Sequence, residues 1–191
     1  MSHRSFVERP TPADLEAAGD RTIPDLLAPG LSVVFSGINP GLWSAATGLH
    51  FARPGNRFWP TLHRAGFTPR QLAPREQPVL LGLGLGITNV AARATARADE
   101  LGRDELVEGG RVLREKVLRL RPAWLAVVGI GAYRTAFDRR TAVVGPQGER
   151  VGETRVWVLP NPSGLNAHWP ATALAEEFAR LREAAGLPAL S

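Results

Sequence analysis

Three stretches of this chain carry residues whose types and spacing can do chemistry. The first is Gly37-Ile38-Asn39-Pro40-Gly41, a glycine- and proline-rich turn holding one amide. An asparagine offers a carbonyl acceptor and an N–H donor pair but no strong base, so Asn39 can hold a water or a substrate amide in place; it is equally at home as an ordinary turn residue. The second is Pro160-Asn161-Pro162-Ser163-Gly164-Leu165-Asn166, where the prolines stiffen the backbone and Gly164 permits a tight turn that presents Leu165 outward. An exposed leucine on a rigid loop suits a wedge that prises stacked bases apart, and its alternative is to fold back into the core. The third is Gly48-Leu49-His50-Phe51-Ala52-Arg53-Pro54, in which Phe51 either stacks on a planar ligand or serves the core; Asn56-Arg57-Phe58-Trp59 follows, with Arg57 expected to face the same mouth.

Other candidates are weaker. Gly129-Ile130-Gly131 invites a dinucleotide reading, but Arg134 stands where the third glycine of that fingerprint belongs, which leaves close packing or backbone approach to a phosphate. His3, His50, His63 and His168 are scattered, and with no His-x-x-x-His pair and no carboxylate cluster the sequence suggests no metal. The chain has no cysteine, which excludes a disulfide framework, a thiolate nucleophile, a Cys-ligated zinc and a Cys-held iron–sulfur cluster. No cofactor is expected.

The elements that must position these residues are legible as apolar runs. Leu31 to Ser36 reads as a strand that ends at the first motif, and its unbroken Val33-Val34-Phe35 suits a strand covered on both faces. Ile23 to Ala28 reads as a short turn of helix, Arg57 to Ala65 as a helix ended by Gly66, and Gln71 to Leu81 as a helix broken by Pro74 and Pro78. Leu85 to Val90 is a second strand. From Asp99 onward Leu106, Gly110, Leu113, Val117 and Leu120 share one helical face until Pro122. Ala123 to Val128 is a strand, Ala132 to Phe137 a short helix, Gly145 to Gly148 a turn, Arg155 to Leu159 the last strand, and Leu174, Phe178, Leu181 and Ala185 mark a closing helix. The expected fold is α/β: a single domain with a central, mostly parallel β-sheet flanked by helices on both faces. Ligands of such sheets sit beyond the carboxyl ends of the strands, where Gly37 to Gly41, Thr88 to Arg93, Gly129 to Tyr133 and Pro160 to Asn166 should converge.

Composition sets outer limits. With 191 residues and 44% hydrophobic content, one sizeable core is expected. Residues 1–22 read as a loose, poorly ordered extension, 23–186 as the domain and 187–191 as a tail. Lys+Arg is 23 against 18 Asp+Glu, a net charge of +5, and Lys116 is the sole lysine. Arginine's planar fork suits phosphate and so a nucleic-acid partner, while genome composition explains the same bias. No apolar stretch approaches a membrane span, and residues 1–20 lack a signal-peptide core, so a soluble cytoplasmic protein is expected.

Taken together, Gly37-Ile38-Asn39-Pro40-Gly41 with Ser44-Ala45, Asn56-Arg57-Phe58-Trp59 and Asn161-Pro162-Ser163-Gly164-Leu165 resemble the mismatch-specific uracil-DNA glycosylases, relatives of thymine-DNA glycosylase within the uracil-DNA glycosylase superfamily. The likeness runs in consistent order from about Ile23 to Gly186. It implies a monomer that acts on double-stranded DNA without cofactor or metal, removing uracil, or thymine weakly, opposite guanine and leaving an abasic site for base excision repair. By matched position, Asn39 would place the attacking water, Phe51 would stack on the flipped base and Ile38 would bring a backbone amide to its edge. Ser44, Asn161 and Ser163 would line the base site. Gly164, Leu165 and Asn166 would fill the gap in the helix and face the widowed guanine, with Arg57 on the DNA.

The resemblance has departures. Asp99 stands where the family commonly has an amide or a small polar residue, so it either acts in catalysis, as the missing base or by stabilising the cationic sugar, or caps the helix that follows. Asn166 replaces a frequent serine, and Asn89 stands where some relatives carry lysine. With no lysine in a motif, a Schiff-base lyase mechanism is disfavoured. Two other readings compete: a DNA mismatch- or damage-binding module without catalysis, which would have no need of Asn39 beside Phe51, and hydrolysis of free nucleosides, which would have no need of a wedge.

Overall fold

The computed structural model describes residues 9–191. Among the described residues five strands form one sheet: β1 (Val33–Gly37), β2 (Leu85–Asn89), β3 (Trp124–Val128), β4 (Gly145–Val151) and β5 (Thr154–Leu159), in the order β2-β1-β3-β5-β4. All pairings are parallel except β4 with β5 at the edge. The α-helices are α1 (Pro12–Glu16), α2 (Leu42–Thr47), α3 (Phe58–Arg64), α4 (Val79–Gly82), α5 (Arg103–Leu120), α6 (Ile130–Ala136) and α7 (Ala171–Ala184).

The continuous apolar runs of β1 and β3 are buried at every residue because alternate side chains enter two different cores. On one face Val33, Phe35, Ile87 and Trp157 meet Phe58 and Leu62 of α3 and Phe178 and Leu181 of α7. On the other Val34, Leu125, Val127 and Val158 meet Leu113 and Val117 of α5, Tyr133 of α6 and Phe137 at its C-cap. The fold is therefore the expected α/β domain. Its packing explains why two adjacent glycines sit inside a long helix, where each is unfavourable by about 1 kcal/mol relative to alanine. A methyl at Gly109 would run into the Val90 carbonyl, and one at Gly110 into the Ala136 carbonyl, so α5 lies directly on the segment leaving β2 and on α6.

Several local expectations are corrected. Gly145 to Gly148, read as a turn, opens β4; proline and glycine are tolerated there because β4 is an edge strand with a register irregularity between Pro146 and Arg150. Ile23 to Ala28 is extended and not helical, since Leu26 bridges antiparallel to Ile87 and covers the β2 edge. Residues 9–22 were expected to be loose, yet Thr11 and Asp14 form a reciprocal capping box on α1, and Ala18 is buried against Ala45 and Ala94; residues 1–8 lie outside the described residues. The segment 187–191 also docks: Leu190 donates its N–H to the Gly66 carbonyl at 2.8 Å. Finally, α5 starts at Arg103 with Gly102 as its N-cap, and Asp99 belongs to a separate 3-10 turn, Ala98–Glu100.

Candidate active site at the strand ends

A cavity of about 160 Å³ opens beyond the carboxyl ends of β1, β2 and β3. Its walls include Ile38, Asn39, Ser44, Phe51, Asn161 and Ser163. β3 reaches it through Val128, but Gly129 to Tyr133, expected to converge there, do not line it: Gly129 (φ +141°) packs against Ile38, where a methyl would stand 3.0 Å from Cδ1, so the Gly-Ile-Gly stretch serves close packing.

Asn39 is held from one side. Its Nδ2 donates to the Arg93 carbonyl and to Thr95 Oγ1, each at 2.8 Å. The buried Thr95 hydroxyl in turn donates to the Arg97 carbonyl at 2.7 Å, so it can only accept from Asn39. Both amide protons are thereby engaged, and Oδ1 is the end left to accept a hydrogen bond in the cavity. The strand-exit segment that supplies these partners is itself anchored. Thr95 N–H reaches the Pro40 carbonyl at 3.2 Å, Ala91 N–H the Ile38 carbonyl at 2.8 Å, and the Arg93 guanidinium bridges Glu105 on α5 (2.8 and 3.0 Å) and Asp20 (3.0 Å). Those hydrogen bonds raise the Arg93 pKa and lower that of Glu105, so the bridge stays ionised. Neither the Ile38 nor the Asn39 backbone N–H is engaged within the described residues, because the ladder with β3 ends at Ser36↔Val127.

The aromatic wall is built by strain offset with stacking. Phe51 sits at φ +50°, a left-handed conformation that is unfavourable by roughly 1–2 kcal/mol for a side-chain-bearing residue. Its ring stacks on Phe58 at 4.0 Å and 19°, which holds it there. Ser44 Oγ accepts the Ala52 N–H at 3.2 Å and ties this loop to α2. The fully buried end of the loop is His50, whose Nε2 lies 2.9 Å from the Pro24 carbonyl. A carbonyl only accepts, so Nε2 carries the proton; burial holds the imidazole pKa below its ordinary value and keeps the ring neutral. At the cavity floor Gly37 makes room: a methyl there would stand 2.5 Å from Asn89 Oδ1 and 3.3 Å from Phe51 Cζ.

The second motif forms a loop whose polar groups hold its own shape. Asn161 Oδ1 accepts the Ser163 N–H at 2.9 Å, Ser163 Oγ the Leu165 N–H at 3.3 Å, and Asn166 Nδ2 donates to the Asn161 carbonyl at 3.0 Å. Leu165, at the tip, is 79% exposed and does not fold back into the core. The Arg57 side chain, expected at the DNA, turns under this loop and donates to the carbonyls of Trp169, Ser163 and Asn166.

Of the residues named from sequence, Ile38, Asn39, Ser44, Phe51, Asn161 and Ser163 line one cavity. Gly164, Leu165 and Asn166 belong to the adjoining loop, and Arg57 lies beneath it. Asp99 is not brought in: its side chain is 71% exposed and pairs with Arg97 at 3.0 Å, although its neighbour Ala98 lines the rim. Because the helix begins later, Asp99 does not cap it either. Asn56, which opens the Asn56-Arg57-Phe58-Trp59 motif, and Thr95 also line the cavity; Thr95 carries no signal in the sequence and lies two residues beyond the expected strand-exit segment, which ends at Arg93. Among the described residues no carboxylate lines the cavity, and no group of three or more His, Asp or Glu stands together to hold a metal ion. No helix of the described residues is long and apolar enough to cross a membrane. The family model described as the Uracil DNA glycosylase superfamily matches residues 24–184, a span that contains every one of these site residues.

Proposed function

Starting from the fact that the chain belongs to the uracil DNA glycosylase superfamily, whose membership supports DNA N-glycosylase activity, we propose that it is a monofunctional glycosylase that excises uracil, and more weakly thymine, from mispairs with guanine in double-stranded DNA. The observation that carries this reading is the orientation of Asn39. With both amide protons engaged by Arg93 and Thr95, its carbonyl oxygen is available to accept a hydrogen bond from the attacking water.

The rest of the cavity suits a flipped pyrimidine. Its polar lining includes the amides of Asn39, Asn56, Asn89 and Asn161, whose paired donor and acceptor groups match an uncharged imide edge. Phe51 supplies a face for stacking. A base inside a duplex is out of reach and must be rotated out, and a wobble pair opens more readily than a Watson–Crick pair, so selectivity for mispairs starts at extrusion. Leu165 stands exposed to fill the vacated space. As the C1′–N bond breaks, its electron pair leaves with the base, and the unengaged Ile38 N–H is placed at the strand end to stabilise that anion. The sugar, now cationic in character, bonds the water oxygen at C1′, and the proton that this oxygen sheds neutralises the departed base anion, leaving an abasic sugar hydroxyl and the free base.

Water that is oriented and not deprotonated makes a slow enzyme. A single-turnover assay on a G·U duplex, with abasic sites cleaved by alkali, tests the reading. Strand breaks should form with the wild type and be lost with Asn39→Ala; a wild type that yields none at enzyme excess sinks it in favour of a binding module. A panel placing uracil, thymine and other damaged pyrimidines opposite each of the four bases then ranks the substrates.

A further inference from the structure

Arg57 commits both of its terminal guanidinium nitrogens to backbone carbonyls beside the cavity. Nη1 donates to the Trp169 carbonyl at 2.6 Å and Nη2 to the Ser163 and Asn166 carbonyls at 3.1 Å each, while the Arg57 backbone N–H donates to the Pro162 carbonyl at 3.0 Å. Nε is buried without a partner. Every acceptor is a backbone carbonyl of the Leu165 loop. A second contact joins the same two segments: Gly164 lies so close to Gly55 that a methyl on it would stand 2.6 Å from the Gly55 carbonyl oxygen. The loop carrying Leu165 is thus clasped to the loop carrying Phe51 from below by a guanidinium and from the side by glycine-to-backbone contact.

We propose that Arg57 is a positioning residue for base extrusion. It sets the Leu165 loop in its inserting shape before DNA arrives and couples the wedge to the aromatic wall, so that the two act as one body. The inference rests on the glycosylase reading above. A loop with an exposed tip would otherwise have to be ordered during insertion, and that entropy would be subtracted from the energy available for opening the pair. The residue type fits the task, because a planar fork can meet three converging carbonyls whereas the point charge of a lysine cannot fix their mutual angles. A direct phosphate contact fits poorly, since the terminal nitrogens are already engaged under the loop. The exposed cation at the cavity mouth is instead Arg53, whose side chain makes no hydrogen bond or ion pair among the described residues.

The test compares Arg57→Lys, Arg57→Gln, Gly164→Ala and Leu165→Ala in single-turnover excision from two duplexes, one with uracil opposite guanine and one with uracil opposite an abasic-site analogue, where little opening is needed. Gly164→Ala strains the clasp without touching Arg57, which keeps the proposal testable should an Arg57 variant fail to fold. The expected result is a loss of about 10-fold to about 100-fold on the G·U duplex, the range that ångström-scale misplacement produces, with most of it recovered opposite the abasic analogue. Combining Arg57→Lys with Leu165→Ala should be no slower than Leu165→Ala alone, as for residues acting through one step. A 2-aminopurine next to the uracil should lose its unstacking signal in parallel. Equal losses on both duplexes, or a salt dependence of binding reduced by about one phosphate contact, would overturn the proposal in favour of a direct DNA contact; so would unchanged excision by all the variants. A wild type inactive on both duplexes defeats the glycosylase reading itself, and the 2-aminopurine signal still reports whether Arg57 governs insertion.

Discussion

The Asn39 amide has two ends of similar size and opposite hydrogen-bonding sense, and only the carbonyl end can accept a hydrogen bond from water. Thr95 decides which end faces the cavity, because its hydroxyl proton is committed to the Arg97 carbonyl and its lone pairs are left for Asn39 Nδ2. Thr95→Val keeps the shape and removes the acceptor. Single-turnover excision should fall by about 10-fold to about 100-fold, as when an orienting partner of a reacting group is lost, with little change in DNA affinity. Asp99→Asn is the contrast: an exposed carboxylate paired only with Arg97 should change excision by no more than about twofold. His50 links the loop to pH. Its folded pKa is depressed from the ordinary 6.5 by burial, so below that value the unfolded chain binds the proton that the folded protein excludes. Its contribution is fully present above about pH 6.5 and is lost as pH falls. The melting temperature should therefore drop between about pH 7 and about pH 5.5, and His50→Gln should flatten that part of the profile. Asn39 and Phe51 were visible as chemistry because of residue type and turn context. Thr95 was not, since a threonine in a loop carries no periodic signal and its role exists only through two partners distant or hidden in sequence.

At the level of elements, the site depends on how closely backbone can approach backbone. The segment leaving β2 must run beside Pro40 to deliver Arg93 and Thr95, and α5 presses on it at Gly109. Gly109→Ala should invert the usual helix rule. In an exposed helix the change stabilises by about 1 kcal/mol, but here the methyl meets the Val90 carbonyl, and a net loss of about 1–3 kcal/mol is expected in denaturant or thermal unfolding. The strands buried on both faces were legible because their apolar runs are uninterrupted, and α5 because its core face repeats at helical spacing. β4 was hidden by its own safeguards: a glycine, a proline and alternating exposure are the chemistry of turns and equally of an edge strand that must not recruit another.

For the molecule as a whole, the net charge of +5 already subtracts the acids that pair with Arg93, Arg97 and Arg111, and of the cations in excess Arg57 is turned inward. Binding to a duplex should still weaken with salt, and two phosphate contacts alone imply a loss of about tenfold between about 50 and about 200 mM; affinity independent of salt would contradict a DNA substrate. What the sequence by itself determined was the α/β layering and the placement of both motifs after strands, since these follow from apolar runs and local turn chemistry that need no distant partner; the superfamily followed from the resemblance those motifs carry. What only the tertiary structure decided was the working orientation of each group: which end of the Asn39 amide meets the cavity, that Arg57 clasps a loop, and that Asp99 faces solvent. The physical reason is that hydrogen bonds and steric fit act over a few ångströms, between groups such as Asn39 and Thr95 or Arg57 and Trp169 that the chain separates by 56 and 112 residues.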